Sequence, residues 1–153
     1  MVHSDFCGPI KTRSLAGSSY YATFIDDYSR KVWVYFMKAK SEVFDHFKKF
    51  KNQVEKETGQ YIKCLRLDGG GEYFSHEFNR FLDNQGIKRQ FTCRYTPQQN
   101  GVAEQKNRHI AEVARALMSE KEMPQSFWAK AVYTAIYIMN RTSTVAIYDI
   151  TPE

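Results

Sequence analysis

The chain has 153 residues, a net charge of +5 and a sequence pI of about 9.1. Apolar residues make up 42% of it and charged residues 25%, a balance that is ordinary for a globular protein and excludes a disordered chain. The length suffices for one domain with a buried core but not for two. The modest basic excess is compatible with nucleic-acid binding without requiring it.

Zinc binding and membrane insertion are both disfavoured by the sequence. Cys7, Cys64 and Cys93 stand far apart, and neither they nor the histidines show the spacing of zinc ligands. We therefore expect reduced thiols in an intracellular protein. The N-terminus lacks the apolar core of a signal peptide, and the longest apolar stretch, residues 127–139, is too short to cross a membrane.

Three strands are predicted first, over residues 2–7, 20–25 and 31–37. The first stops at Gly8-Pro9, and the other two are joined by DDYSR, whose Asp and Ser side chains favour a turn. Short links between successive strands predict an antiparallel meander.

Helices and strands then alternate along the chain. In order, the predicted elements are a helix from the N-cap Ser41 to Gly59, a strand over 61–67, a helix from Ser75 to Gly86, a strand over 87–92, a helix that opens with Glu104 and is broken by Pro124, and a helix over 125–140. This order predicts an α/β fold: a single domain over residues 1–153, with a mixed five-stranded sheet and helices on both faces.

Three acidic residues occupy unusual places. Asp5 lies inside the first strand, where aspartate is disfavoured. Asp68 ends the fourth strand, at the sheet edge where α/β proteins bind ligands, and Glu104 lies in the first turn of the helix after the fifth strand. If the first and fourth strands are neighbours, the two aspartates lie side by side and this helix can bring in the glutamate.

Three clustered carboxylates repel one another unless cations neutralise them, and such oxygen ligands suit Mg²⁺ or Mn²⁺. Two ions about 4 Å apart can activate an attacking oxygen and stabilise a leaving one in phosphoryl transfer. Water or a 3′-hydroxyl would then attack without a protein nucleophile. The residues therefore favour a two-metal phosphoryl-transfer site.

Simpler explanations exist for each acid. Glu104 can stabilise the positive end of a helix by about 0.3–1 kcal/mol, Asp68 can cap the glycine-rich turn that follows it, and Asp5 can be an exposed edge residue. Asp26 and Asp27 are rivals for the first position, although DDYSR resembles a turn in which aspartate needs no metal. The glycines after Asp68 lack the G-K-[ST] and GxGxxG patterns of nucleotide-binding loops.

Five motifs follow one another along the chain: HSDFCGP (3–9), FIDDYSR (24–30), LRLDGGGEY (65–73), TPQQNGVAEQKNR (96–108) and SFWAKAVYTAIYIMNR (126–141). In this order they resemble the motifs of copia-type LTR-retrotransposon integrases, and more broadly those of the catalytic core of retroviral integrases and transposases. The resemblance covers essentially the whole chain. Two positions depart from the common pattern: Gly69 stands where the family most often has Asn, and Gln105 where Arg is common.

The resemblance implies an RNase H-like fold and a DDE triad whose second and third members have 35 residues between them. Residues 69–103 separate Asp68 from Glu104, so the carried-over triad is Asp5, Asp68 and Glu104. It implies an integrase that uses Mg²⁺ or Mn²⁺, as two ions, to process the 3′ ends of element DNA and to join them to a target duplex. The chain would then be the catalytic core of a larger polyprotein.

The same resemblance implies residues that contact DNA. Tyr95, Gln98, Gln99 and Asn100 match a loop that approaches the DNA end in retroviral relatives. Asn107 and Arg108 follow Glu104 by one helical turn, and we expect Arg108 to contact a phosphate. The alternative for Arg108 is a surface ion pair with Glu104.

Two other functions fit the residues less fully: an inactive DNA-binding or assembly relic of a retrotransposon, and an RNase H-like nuclease that only hydrolyses. Related cores form two-fold dimers, so the resemblance also implies a homodimer or a higher oligomer. It further implies an intracellular location, nuclear or cytoplasmic, in association with virus-like particles.

Overall fold

A computed structural model describes residues 1–68, 75–92, 97–143 and 150–152, with the backbone alone at 68, 92 and 97–100. The elements are β1 (Val2–Cys7), β2 (Tyr20–Asp26), β3 (Val32–Met37), α1 (Val43–Thr58), β4 (Cys64–Asp68), α2 (His76–Asn84), β5 (Lys88–Thr92), α3 (Pro97–Glu120) and α4 (Trp128–Arg141). Their order is the predicted one.

The strands form one mixed sheet in the order β3-β2-β1-β4-β5. The first three strands are antiparallel, and β4 and β5 run parallel to β1. β1 is therefore central, and β4 is its direct neighbour. The predicted meander and the predicted mixed sheet are both confirmed.

Side chains alternate between the two faces of the sheet, and each face has its own apolar cluster. The cluster under α1 and α2 contains Phe24, Phe47 and Phe78. The cluster under α3 and α4 contains Ile25 and Trp128. Helices thus cover both faces, as predicted.

Two helix ends agree with their predicted signals. Gly59 ends α1 with φ 67°, a left-handed conformation that glycine adopts without a steric penalty. Ser75 caps α2, because its hydroxyl accepts a hydrogen bond of 3.1 Å from the backbone N–H of Phe78. Both ends are therefore determined by local sequence.

The predicted N-cap at Ser41 is wrong. Ser41 lies inside a short 3₁₀ turn, Lys40–Glu42, and α1 begins after it at Val43. The carboxylate of Glu42 accepts hydrogen bonds from the backbone N–H groups of Lys38 (3.0 Å) and Ala39 (2.8 Å). The incoming chain is thus held by Glu42, and the serine hydroxyl is not needed as a cap.

β3 is an edge strand, and a side chain of α4 covers part of its edge. The Asn140 side-chain amide accepts from the Val32 N–H and donates to the Val32 carbonyl, both at 2.9 Å. Asn140 therefore replaces one residue of a neighbouring strand and satisfies backbone groups that an edge leaves open.

Cys7 and Cys64 are free, partly buried thiols, as predicted, and Cys93 lies outside the described residues. Among the helices that the structure describes, none is both long enough and apolar enough to pass through a membrane.

Candidate active site

Asp5 lies on the central strand, on the side of the sheet that α3 covers, and it is half-buried. Its Oδ1 accepts a hydrogen bond of 2.7 Å from the Phe6 backbone N–H. Its Oδ2 accepts one of 2.5 Å from Nδ2 of Asn107, which belongs to α3. Donors on both oxygens fix the orientation of this carboxylate and attach α3 to β1.

Thr23 completes this network, and the sequence analysis missed it. Thr23 lies opposite Asp5 on β2 and is fully buried. Its hydroxyl donates to Oδ1 of Asn107 at 3.1 Å and lies 3.5 Å from the carbonyl oxygen of Asp5. The signal for this residue was a polar side chain in a strand that is otherwise almost entirely apolar.

Asp68 stands beside Asp5 in the backbone register. Ser4 of β1 pairs with Leu67 of the parallel strand β4. One residue further along both strands, the same register puts Asp68 opposite Asp5. Backbones of neighbouring strands lie about 4.8 Å apart. The expectation that two aspartates occupy adjacent strands therefore holds for the backbone, while the Asp68 side chain lies outside the described atoms.

Glu104 is not in the first turn of its helix, contrary to the prediction. α3 already begins at Pro97, which places Glu104 in the second turn. Proline suits the start of a helix because its missing N–H would have no partner there, and the glutamines that follow are good helix formers. Since the helix dipole acts mainly within the first turn, it no longer explains Glu104.

The spacing along α3 places Glu104 close to Asp5. Residues three apart share a helix face and are about 4.5 Å apart along the axis. Asn107 contacts Asp5 directly, so exposed Glu104 lies one turn from that contact. One edge of the sheet therefore brings together Asp5, the backbone of Asp68 and the helical turn that carries Glu104.

No three His, Cys, Asp or Glu side chains among those described are close enough together to hold a metal ion. The Asp68 side chain is outside that set. The oxygen ligands that Asp5, Asp68 and Glu104 offer are nevertheless the type that Mg²⁺ and Mn²⁺ prefer. The donor chemistry thus fits a divalent ion, and the triad stays a prediction.

Asn107, one of the six residues predicted to contact DNA, is bonded to Asp5, and the other five differ in how much of each the structure describes. Tyr95 lies outside the described residues, and Gln98, Gln99 and Asn100 are described only as backbone at the start of α3. Arg108 is exposed, and within the described part of the chain neither it nor Glu104 forms an ion pair. The alternative of a Glu104–Arg108 ion pair is therefore not realised.

Asp26 and Asp27, the rival acids, have structural partners. Asp26 Oδ2 accepts from the N–H (2.8 Å) and the hydroxyl (2.9 Å) of Ser29, which closes the β2–β3 turn. Asp27 Oδ1 lies 2.7 Å from Nε2 of the fully buried His3. Neither acid needs a metal to explain its place.

The His3–Asp27 contact joins a neutral imidazole to a carboxylate. Burial lowers the pKa of His3 and outweighs the opposite effect of Asp27. Burial opposes ionisation of Asp27, but the hydrogen bond with His3 and the charge of Arg30 leave the pKa of Asp27 below its ordinary value. His3 therefore donates Nε2–H to an ionised Asp27.

Comparison with known proteins shows similarity to retrovirus-related Pol polyproteins of transposons. The chain is 48% identical over all of its 153 residues to the retrovirus-related Pol polyprotein from transposon TNT 1-94 of Nicotiana tabacum. It is 36% identical over 131 residues, 86% of its length, to the corresponding polyprotein from transposon RE2 of Arabidopsis thaliana. The chain spans only 12% and 9% of the lengths of these two relatives.

Solved structures support the fold. A chain of the simian T-cell lymphotropic virus intasome in complex with PP2A regulatory subunit B56 gamma has a TM-score of 0.73 and 17% identity, over 99% of this chain and 51% of that one. The HTLV-2 integrase catalytic core domain in complex with magnesium, in a trimeric form, has a TM-score of 0.66 and 18% identity, over 99% of this chain and 91% of that one. The predicted RNase H-like architecture is thereby confirmed.

The integrase core domain family matches residues 1–97, a range that includes Asp5 and Asp68 and ends before Glu104. Since the matched range is well over half of the chain and the solved integrase cores share its fold, this chain belongs to the integrase core domain family.

Proposed function

We propose that this chain is the catalytic core of a DDE integrase that processes the 3′ ends of element DNA and joins them to a target duplex. One observation carries the proposal. The Asp5 carboxylate is held by Asn107, one turn beyond Glu104 on α3, while Asp68 follows in register on the neighbouring strand.

Asp5, Asp68 and Glu104 would hold divalent ions, Mg²⁺ or Mn²⁺ and two in number. When bound, such ions increase the reactivity of the attacking oxygen and stabilise the leaving oxygen of a phosphodiester. Asn107 and Thr23 act on the protein side, because they fix the direction of the Asp5 carboxylate before substrate arrives. Such preorganisation favours reaction geometry without reorganisation at the moment of transfer.

No protein nucleophile is assigned to the reaction. Tyr21 lies opposite Cys7 on β2, and burial raises its pKa, with further contributions from Cys7 and Asp5. Its hydroxyl therefore stays protonated and is a poor nucleophile. The attacking group is therefore water when the DNA ends are processed, and a DNA 3′-hydroxyl when they are joined to the target.

DNA contacts are proposed at the start of α3 and one turn beyond Glu104. Arg108 is exposed next to the turn that bears Glu104 and can approach a phosphate. Tyr95, Gln98, Gln99 and Asn100 keep the DNA-end role that their resemblance implies. The amide of Asn107 is already bonded to Asp5 and Thr23, so we assign it to positioning Asp5, and its contact with DNA stays a prediction.

We also propose a homodimer or higher oligomer in an intracellular, virus-like-particle setting. Two DNA ends must be handled together in integration, which favours at least two copies. Of the two solved structures compared above, one comes from an intasome and the other is a trimeric form.

The reaction can be tested with a branched DNA substrate that reports the reversal of strand transfer in the presence of Mn²⁺. Asp5→Asn, Asp68→Asn and Glu104→Gln should each lower the rate by at least about 100-fold, since each removes a charge needed for the ions. Glu112→Gln is the matched control, because Glu112 is an exposed acid on the same helix. It should retain the wild-type rate.

The branched substrate also separates the competing functions. Reversal of strand transfer requires a DNA 3′-hydroxyl as the attacking group, so a nuclease would release only hydrolysis products. Equal rates in the wild type and the three triad variants would dismiss the triad. A wild-type chain that binds DNA but converts no substrate would indicate the inactive relic.

A further inference from the structure

The outer edge of β3 offers backbone groups that nothing in the described fold uses. We propose that this edge, at Val34 and Phe36, binds an extended peptide segment of another protein as an added strand. The segment that fits alternates β-branched apolar side chains, which face α4, with uncharged polar side chains, which face α1. The inference is independent of the proposed catalytic function.

The register of β2 and β3 shows which groups of β3 point outward. The Asp26 N–H donates to the Lys31 carbonyl at 3.0 Å, so this is a hydrogen-bonded pair of the antiparallel ladder. Such pairs alternate with pairs whose N–H and C=O groups point away from the partner strand. Val32, Val34 and Phe36 lie at the alternate positions, and their backbone groups therefore face away from β2.

Asn140 shows that this edge accepts an amide group. Its side chain takes the place of a neighbouring peptide group, with both of its contacts to Val32 at 2.9 Å. Val34 and Phe36 have the same orientation as Val32, and in the described residues their outward groups have no hydrogen-bond partner. Two N–H and two C=O groups are thus left for a further strand.

β3 also lacks the features that usually protect an edge strand. Natural edges carry charged residues, proline or a bulge, which prevent pairing with another chain. The sequence of β3, VWVYFM, has no charge and no proline, and its register with β2 continues without a bulge from Val32 to Met37. Apart from the Asn140 contact, this strand is regular and suited to pairing.

A groove of about 320 Å³ lies at this edge between α1 and α4, and Val34 contributes to its lining. Tyr133 and Tyr137 form its α4 wall, one helical turn apart, and they are 61% and 51% exposed. The α1 wall is polar, because Gln53 Nε2 donates to Oε1 of Glu57 at 2.9 Å.

Walls of different character select the kind of segment that binds. Successive side chains of a strand point to opposite sides, so an alternating segment places one set against the tyrosine rings and the other against the α1 wall. A helix cannot pair with the open backbone groups, because its own are already bonded within the helix. The groove and the edge together therefore fit an alternating extended segment.

Hydrogen exchange followed by NMR can test this for each amide separately. In the free chain the Val34 and Phe36 amides should exchange at least about 100-fold faster than the Val32 amide, which is bonded to Asn140. A peptide of alternating valine and threonine, with a lysine at each end for solubility, should slow the exchange of Val34 and Phe36 by at least about tenfold. The same peptide with N-methylated backbone amides should have no effect, because it cannot donate to the edge.

Two substitutions test the edge and the wall of the groove. Val34→Pro removes an outward N–H that β2 does not use, so the fold should persist while peptide affinity falls about tenfold. Val34→Ala keeps this N–H and should bind within about twofold of the wild type. Tyr133→Ala should also weaken binding, whereas Tyr61→Ala, at a site that is 79% exposed and outside the groove, should not.

Several results would overturn the inference. They are slow exchange of Val34 and Phe36 in the dilute free chain, fast exchange of both at saturating peptide, and equal protection by the N-methylated peptide, which decides the matter even if Val34→Pro does not fold. Protection that grows with protein concentration in the absence of peptide would assign the edge to a second copy of the chain instead. The catalytic proposal is judged separately by the triad variants on the branched substrate, so either can fail alone.

Discussion

The two faces of the sheet differ in the residue types that they bury. Under α1 and α2 the face is aromatic: Phe24 stacks on Phe50 with ring centroids 4.5 Å apart, and Phe44 stacks on Phe78 at 4.9 Å. Phe47 contacts the same group and is fully buried. This face stabilises the fold through apolar burial and ring packing.

The face under α3 is apolar only in part. His3 and Thr23 are fully buried there, and each has a polar partner, Asp27 and Asn107 respectively. Buried polar groups are costly unless they are hydrogen-bonded. The contrast indicates that the face under α1 and α2 mainly stabilises the domain. The face under α3 has fewer apolar contacts, and its polar side chains position Asp5.

The largest expected effect belongs to the aromatic face. Phe47→Ala should lower the free energy of unfolding by about 3–5 kcal/mol, because it removes a buried ring and leaves a cavity. Urea unfolding followed by circular dichroism measures this loss. Tyr133→Ala is the control, since Tyr133 is 61% exposed and its loss should cost less than about 0.5 kcal/mol. Equal losses in both variants would contradict the assignment of this face as the stabilising core.

The next effect belongs to the polar network. Asn107→Ala removes the donor to Asp5 Oδ2 and the acceptor for Thr23, so the carboxylate loses its fixed direction. We expect the rate on the branched substrate to fall by about 100-fold, with a loss of stability of only about 1–3 kcal/mol.

Asn79→Ala provides the matched control for that change. The Asn79 side chain also takes part in a hydrogen bond, because its Oδ1 accepts from Nη1 of Arg89 at 2.6 Å. Asn79 belongs to α2, on the other side of the sheet. It should lose comparable stability and keep its rate. If both asparagine variants lost the same activity, the effect would be general destabilisation and the positioning role of Asn107 would be dismissed.

The comparison also shows which features the sequence could predict. Alternating and helical periodicity found every strand and helix in order, because each element buries an apolar face that leaves a repeat in the sequence. Composition and spacing record such burial directly. The sequence left open whether β1 and β4 are neighbours, and the structure supplies that pairing, which puts Asp5 beside the position of Asp68.

Hydrogen bonds between residues that are far apart in the chain produce much weaker patterns in the sequence. Thr23 and Asn107 are 84 positions apart in the chain, and nothing in the local sequence of either indicates the other. The starts of α1 and α3 were also misplaced, because Glu42 and Pro97 compete with the more obvious signals at Ser41 and Glu104. Helix ends depend on single side chains rather than on a repeating pattern.

The smallest expected effect concerns a polar side chain at the margin of the aromatic face. His46 lies with its ring 5.3 Å from that of Tyr35, and its buried Nδ1 has no hydrogen-bond partner among the described residues. Burial lowers the pKa of His46 from its ordinary value of 6.5, and the charge of Lys49 adds to this effect. The folded chain therefore binds a proton here less readily than the unfolded chain does.

Stability should consequently fall as the pH drops below about 6.5, and the loss should grow until the lower pKa of folded His46 is passed. We expect the urea midpoint to be lower at about pH 5.5 than at about pH 7.5. His46→Gln should reduce this difference but not abolish it, because burial lowers the pKa of His3 as well. His109→Gln, at a site that is 59% exposed, should leave the difference as in the wild type. If His46→Gln showed the full wild-type difference, the proton uptake would belong to other groups and the aromatic face would be insensitive to this pH range.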